Sequence, residues 1–354
     1  MFTKMISCMK HTKDRMDNFM PIAEMNQLLD TLKSTGATHI EVATVIGHAN
    51  FKVYSQQWAD AIHTKGMFVT WRSAHQNMEG LYSQPKFVGS LRTPIQFWKD
   101  EAVKAVQLLG SIIKSGDEWS IYPERTEGIF QDFTSWIDSN GLPGTYAQAF
   151  IDIHNACLTV LPFKVKIGLS ANNASELLSG WMPKSLIDYA GYAVIDHYVD
   201  GNSSQYESDV KAVFQKYGKP VYIQEGAPNR FTKPTRAECD AYYAVNKKLQ
   251  TEGILGGFGS WSGWDGRPES IVTKVNGLYQ LNDNGLSLQA WWGGVIAPPP
   301  PLPEPTPEPT PEPISTRKFV AISGSKTYPI ALDNEGQAWK LESGKWVKYP
   351  ILIF

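Results

Sequence analysis

Between residues 4 and 278, runs rich in β-branched and aromatic residues alternate eight times with runs whose apolar residues recur at helical spacing. No other feature limits the fold so tightly. A strand, a helix and a further strand in succession build parallel β-structure with right-handed crossovers. Strands are expected over residues 4–9, 39–45, 67–72, 118–122, 163–169, 192–198, 220–224 and 254–261. The paired helices fall at 21–34, 55–65, 94–114, 146–160, 183–189, 205–217, 235–250 and 268–278, with Gly36 and Gly66 as C-caps and Pro94 in a first turn. Eight pairs in roughly 280 residues are the number and length of an α/β fold of one kind, the closed (β/α)8 or TIM barrel.

A chain of 354 residues that is 42% hydrophobic can bury one large core and carry something small besides. Its formal charge of -2 implies neither a nucleic-acid partner nor an anionic membrane surface, and no apolar run is long enough to span a bilayer. Cys8, Cys157 and Cys239 are odd in number and far apart, so they are expected as core thiols rather than disulfides. No pair of potential ligands has metal spacing, so neither a metal nor another cofactor is expected. Lys4 and Lys10 interrupt the N-terminal segment, and no secretory signal is visible.

A TIM barrel places its chemistry at the C-terminal ends of its strands. Just past the expected strands stand Lys10, His11, His48, Asn50, Arg72, His75, Glu124, Glu127, Asn172, Asn173, His197, Tyr198, Glu225, Trp261 and Trp264, a polar, titratable and aromatic set. Two carboxylates dominate it. Glu225 ends the apolar run in KPVYIQEGAP, and Glu124 ends the one in EWSIYPERTE about a hundred residues upstream. Glycosidic bond cleavage needs one carboxyl group to protonate the leaving oxygen and a second to act at the anomeric carbon, and a separation of about 5 to 5.5 Å makes the reaction retaining. Glu127 is a rival to Glu124, which is preferred because it follows its strand directly. Arg72 either orients a carboxylate or sugar hydroxyl, or belongs to a structural ion pair. The 12 Trp include faces suited to sugar rings, although most are expected in the core.

The motifs IYPER, VIDHYVDG, VYIQEGAP and GFGSWSGW, in that order over about residues 1–292, resemble those of the clan A glycoside hydrolases, retaining barrels with the acid/base glutamate after the fourth strand and the nucleophile after the seventh. That resemblance implies Glu225 as nucleophile and Glu124 as acid/base. It also implies that Tyr198 hydrogen-bonds the nucleophile, that His197 lines the sugar site and that Trp261 forms its floor. With Arg72, His75 and Trp264 these make up the expected substrate-binding set, for a β-linked poly- or oligosaccharide. The chain departs from the family in having Pro123 where an Asn usually precedes the acid/base residue. It also has His197 and Tyr198 adjacent, so that only one can face the barrel interior. The alternative reading is a non-catalytic glycan-binding or phage tail protein that kept the barrel, and either role fits an extracellular or virion-associated setting.

After the barrel region, residues 1–296, the stretch APPPPLPEPTPEPTPEPIS (297–315) is a Pro-, Glu- and Thr-rich spacer, expected to be extended and semi-rigid. Residues 316–354 read as short strands separated by turns, a small all-β module. Within it, IALDNEGQAWKLESGKWVKY is similar to one repeat of the tectonin-like β-propellers. One such blade cannot bury its apolar face alone. It is therefore expected either to pair with copies from other chains, as a homo-oligomer, or to dock as a binding module.

Overall fold

The computed structural model describes residues 2–72, 94–122, 145–161, 166–169, 174–179, 184–199, 203–293, 319–323, 330–333, 338–342 and 345–348. The chain divides into two compact units, Met1–Ile296 and Ala297–Phe354. The first begins with β1 (Thr3–Ser7), α1 (Met9–Lys13), α2 (Ile22–Lys33), β2 (His39–Val42), α3 (Phe51–Thr64), β3 (Phe68–Arg72), α4 (Pro94–Leu109) and β4 (Glu118–Tyr122). It continues with α5 (Thr145–Leu158), β5 (Lys166–Leu169), α6 (Ala174–Ser179), α7 (Lys184–Ala190), β6 (Ala193–Tyr198), α8 (Ser203–Tyr217), β7 (Val221–Ala227), α9 (Arg236–Thr251) and β8 (Leu255–Ser260).

These eight strands form one sheet in the order β5-β4-β3-β2-β1-β8-β7-β6, and among the described residues every pairing within it is parallel. That is the cyclic order of a TIM barrel; a β5–β6 ladder does not occur among the described residues. The fold is α/β and TIM-barrel-like. Helices cover the sheet with apolar stripes: α2 buries Met25, Leu28, Leu29 and Leu32, and α3 buries Tyr54, Trp58 and Ile62 among others. Both follow the spacing of one helix face. Strands β2, β6 and β7 carry long buried runs, as expected of parallel strands covered on both sides.

The end of the barrel away from the site is fastened by Asp117. Its Oδ1 accepts from the backbone amide of Val69 at 2.9 Å and lies 2.9 Å from His63 Nε2, while its Oδ2 accepts from Trp71 Nε1 and Lys114 N, both at 3.0 Å. One buried carboxylate thus joins β3, α3 and the turn before β4. Gly116, just before it, has φ +102, and a Cβ there would collide with the Phe68 ring, so the turn requires glycine.

Two differences from the sequence-based expectation stand out. Residues 268–278 do not form a helix. Val272–Val275 (β9) and Leu278–Leu281 (β10) pair as an antiparallel hairpin across Asn276 and Gly277, both at positive φ, and the helix comes later as α10 (Asp283–Trp292). Asn-Gly between β-branched runs selects a two-residue hairpin turn, and that local chemistry outweighs the helical spacing. Asn282 then caps α10, its side chain accepting from the Gly285 amide. The second difference is that β7 runs through Ala227 instead of ending at Gln224.

In the second unit, β11 (Phe319–Ser323), β12 (Ile330–Asp333), β13 (Ala338–Glu342) and β14 (Lys345–Lys348) pair in sequence as an antiparallel meander.

Candidate active site

The register of β7 is irregular at the residues that matter. Against β6, Ile195 pairs with Ile223 and the next partner, Asp196, pairs with Glu225; against β8, Ile223 pairs with Phe258 and then Gly226 with Ser260. One extra residue is accommodated at Gln224–Glu225. In a regular strand adjacent side chains face opposite sides, but a bulge turns both toward one side. Glu225 and Gln224 accordingly both reach the same buried charge cluster.

Glu225 is held at both oxygens. Arg72, the last residue of β3, donates from Nη1 to Oε1, and Tyr198, the last residue of β6, donates its hydroxyl proton to Oε2 at 2.6 Å. Two rigid donors on two oxygens fix the plane of the carboxylate. Glu225 is 3% exposed and Arg72 is 1% exposed. The same Nη1 lies 3.6 Å from Glu41 Oε1, on β2. Glu41 in turn accepts from Ser7 Oγ at 2.7 Å, and the Gln224 side chain lies near it. Burial pushes its pKa up, Arg72 opposes that shift and the neighbouring Glu225 adds to it, with a rise as the net result. Lys13, the last residue of α1, is 1% exposed, and its ammonium pKa is brought down to about 8, first by burial and then by Lys10, with Asp14 and, more weakly, Glu225 opposing.

An apolar wall adjoins this carboxylate. Met9, Ala43, Trp261 and Trp264 form a small cluster separate from the main core, with half-buried Tyr198 packed on it. The two indoles meet edge to face at 5.3 Å. Trp261 follows β8 directly and its amide donates to the Gly226 carbonyl, while the Gly263 amide donates to the Ser7 carbonyl and folds the loop back onto β1. A Cβ at Gly263 would lie 2.8 Å from that carbonyl, so the glycine in SWSGW lets the second tryptophan come round. On the rim, the Arg230 guanidinium lies 4.2 Å above the centroid of the Tyr198 ring.

Of the residues singled out from sequence, the structure therefore assembles Glu225, Arg72, Tyr198, Trp261 and Trp264. His197 is turned the other way, contrary to its expected place in the sugar site. Its Nε2 lies 3.0 Å from Asp209 Oδ2 on α8 and its ring is edge-on to Tyr206, because its neighbour Tyr198 takes the inward position of the strand. Glu124, its rival Glu127, and His75 lie outside the described residues. Sequence reasoning missed Glu41, Lys13 and Gln224, whose burial only the fold creates. Among the described residues no group of three or more His, Cys, Asp or Glu could hold a metal ion.

His11 on α1 gives a pH-dependent property to the same end of the barrel. It is 8% exposed, and its Nε2 has no hydrogen-bond partner among the described residues. Burial, then Arg15, lowers its pKa to about 4, with Glu24 opposing and Lys274 adding to the shift. The unfolded chain binds this proton near pH 6.5 and the folded one near 4, so stability is full above 6.5 and falls as pH drops between the two values. The loss is about 3 kcal/mol for this group. Thermal melts at pH 7 and 4.5 should show a smaller drop for His11→Phe than for the wild type; equal drops would place the acid sensitivity elsewhere.

No protein-family model matches the chain. A nucleoside triphosphate pyrophosphatase from Saccharopolyspora erythraea is 39% identical over 74 residues, 19% of this chain and 35% of that one. The chain spans about a third of that relative's length, and the match is too short to define a family. Solved structures give a broader likeness. A β-glycosidase overlays with a TM-score of 0.56 at 10% identity, covering 84% of this chain and 98% of that one. An exo-β-1,4-mannosidase from Opitutaceae bacterium strain TAV5 gives 0.61 at 14% identity, covering 82% and 59%. A GH5_18 protein from Streptomyces cattleya, solved with GlcNAc, gives 0.60 at 10% identity, covering 84% and 82%. At such identities the shared property is the TIM-barrel-like fold.

Proposed function

We propose that the chain is a retaining glycoside hydrolase acting on a β-linked oligo- or polysaccharide, with Glu225 as nucleophile and Glu124 as acid/base. The observation that carries this reading is the Glu225 carboxylate itself, presented on β7 and oriented by Arg72 and Tyr198 beside the Trp261 and Trp264 wall. A carboxylate whose two oxygens are pinned by different donors is set to attack along one direction. In the first step Glu225 bonds to the anomeric carbon as the bond to the leaving oxygen breaks, and Glu124 delivers the proton to that oxygen. In the second, Glu124 takes a proton from water, which displaces Glu225. The names of the structural neighbours, glycosidases among them, support the reaction class. The deciding experiment is a panel of nitrophenyl β-glycosides and β-glucans or mannans, with the first-formed anomer read by proton NMR. A β-anomeric product is expected; an α-anomeric first product, or no turnover anywhere on the panel, would remove the proposal.

A further inference from the structure

One nitrogen of Arg72 serves two carboxylates. Nη1 donates to Glu225 on β7 and lies 3.6 Å from Glu41 on β2, so the guanidinium spans the barrel interior between them. Glu41 is 0% exposed and has no path to a substrate. It is nonetheless placed by the Ser7 hydroxyl on β1, which donates to its Oε1 at 2.7 Å, and by the Arg72 guanidinium. The layer deeper in the barrel shows what a merely structural carboxylate looks like here: Glu118 accepts from the hydroxyls of Thr3 and Thr70. Glu41 is different, because it competes with Glu225 for one donor.

On the reading of Glu225 as nucleophile, we infer that Glu41 is a positioning residue for the reaction, which holds Arg72 in place and limits how much of the guanidinium's charge Glu225 receives. A buried carboxylate costs several kcal/mol to desolvate, so a negative charge at this depth needs compensation. Arg72 is the first source of it. Lys13, buried on α1, lies within the field of Arg72 and Glu225 and adds a second cation on the Glu225 side. The other ionisable groups that feel Glu41 are Cys8, at the start of α1, and Tyr222 on β7, and Tyr198 faces it across Glu225.

The charge and the position of Glu41 make separable contributions. Glu41→Gln keeps the shape and the Ser7 contact and removes the charge beside Arg72. At pH 7 kcat is expected to fall roughly tenfold with KM within about twofold, because the carboxylate held more strongly by Arg72 is the poorer nucleophile. Glu41→Asp keeps the charge but withdraws it by one methylene from Arg72. It should lower kcat with KM again within about twofold, a split that a packing role alone would not give.

Carbon-13 NMR of glutamate-labelled protein, with the Glu225 resonance assigned through Glu225→Gln, reads the same coupling without any substrate. At pH 7 that carboxyl resonance should move in Glu41→Gln. An unmoved resonance in the folded variant overturns the inference, as does wild-type kcat in either folded variant. If the resonance moves while no glycoside is turned over, the hydrolase reading fails and the coupling through Arg72 stands. Should Glu41→Gln not fold, kcat of Glu41→Asp alone decides the positioning role.

Discussion

Glu225→Ala is expected to lower kcat by about 10⁴-fold or more, the scale reached when a nucleophile that acts as part of a unit is deleted. The variant should fold, since alanine relieves Arg72 of one partner and leaves Glu41 to pair with it. Azide should then restore turnover by attacking in place of the missing carboxylate, and the product should be the α-glycosyl azide, because the small nucleophile enters from the face that Glu225 occupied. Glu124→Ala should behave differently. Substrates with a good leaving group should still form the glycosyl-enzyme, and azide attacking that intermediate from the opposite face should give the β-glycosyl azide. The two azide products assign the two roles without reference to rate. Activity of Glu225→Ala within tenfold of wild type, or the β-azide from it, would transfer the nucleophile's role to another residue. If Glu127→Ala, and not Glu124→Ala, yields the β-azide, the acid/base role belongs to the later glutamate.

What the sequence revealed of this site follows from which physical rules act locally. The alternation of strands and helices fixes strand ends, and the strand ends brought Arg72, Tyr198, Glu225 and Trp261 onto one list, which the fold then gathered around one carboxylate. Adjacent residues of a strand face opposite ways, and that rule separated Tyr198 from His197 before either was placed; the mistaken expectation was that the histidine would still line the sugar site. Glu41 and Lys13 were not legible because burial of a charge is a tertiary property. In sequence Glu41 is one acidic residue in HIEV, indistinguishable from a surface position until β1 and β3 close on either side of it. The bulge at Gln224–Glu225 was equally hidden, since VYIQEGA alternates no differently from a regular strand. At residues 268–278 the sequence did carry the answer, in Asn276-Gly277, and the helical spacing was given more weight than the turn.

Replacing Arg72 by methionine should be the most damaging single change to stability in the barrel. Methionine fills much of the volume but leaves Glu41 and Glu225 facing each other without the guanidinium between them. Removing one partner from a buried ionic group typically costs 3 to 5 kcal/mol, which for a domain of this size is a fall in Tm of about 10 °C at pH 7. The sign of the pH dependence distinguishes this cause from a cavity. Glu41 already has a raised pKa, and Arg72 is the main influence holding it down, so in the variant the folded pKa rises further above the unfolded value. The folded variant then binds more protons than the unfolded chain between those two values, and its stability increases as pH falls toward 5. The deficit relative to wild type should therefore shrink at pH 5 and widen at pH 8, whereas a packing defect would be indifferent to pH. Adding Glu41→Leu to Arg72→Met should recover part of the loss at pH 7, since an apolar replacement removes one of the two uncompensated charges. A single variant that melts within about 2 °C of wild type at pH 7 would mean that Arg72 does not carry the charge balance of this interior. Activity should fall in the single and the double variant alike, because neither leaves a donor on Oε1 of Glu225.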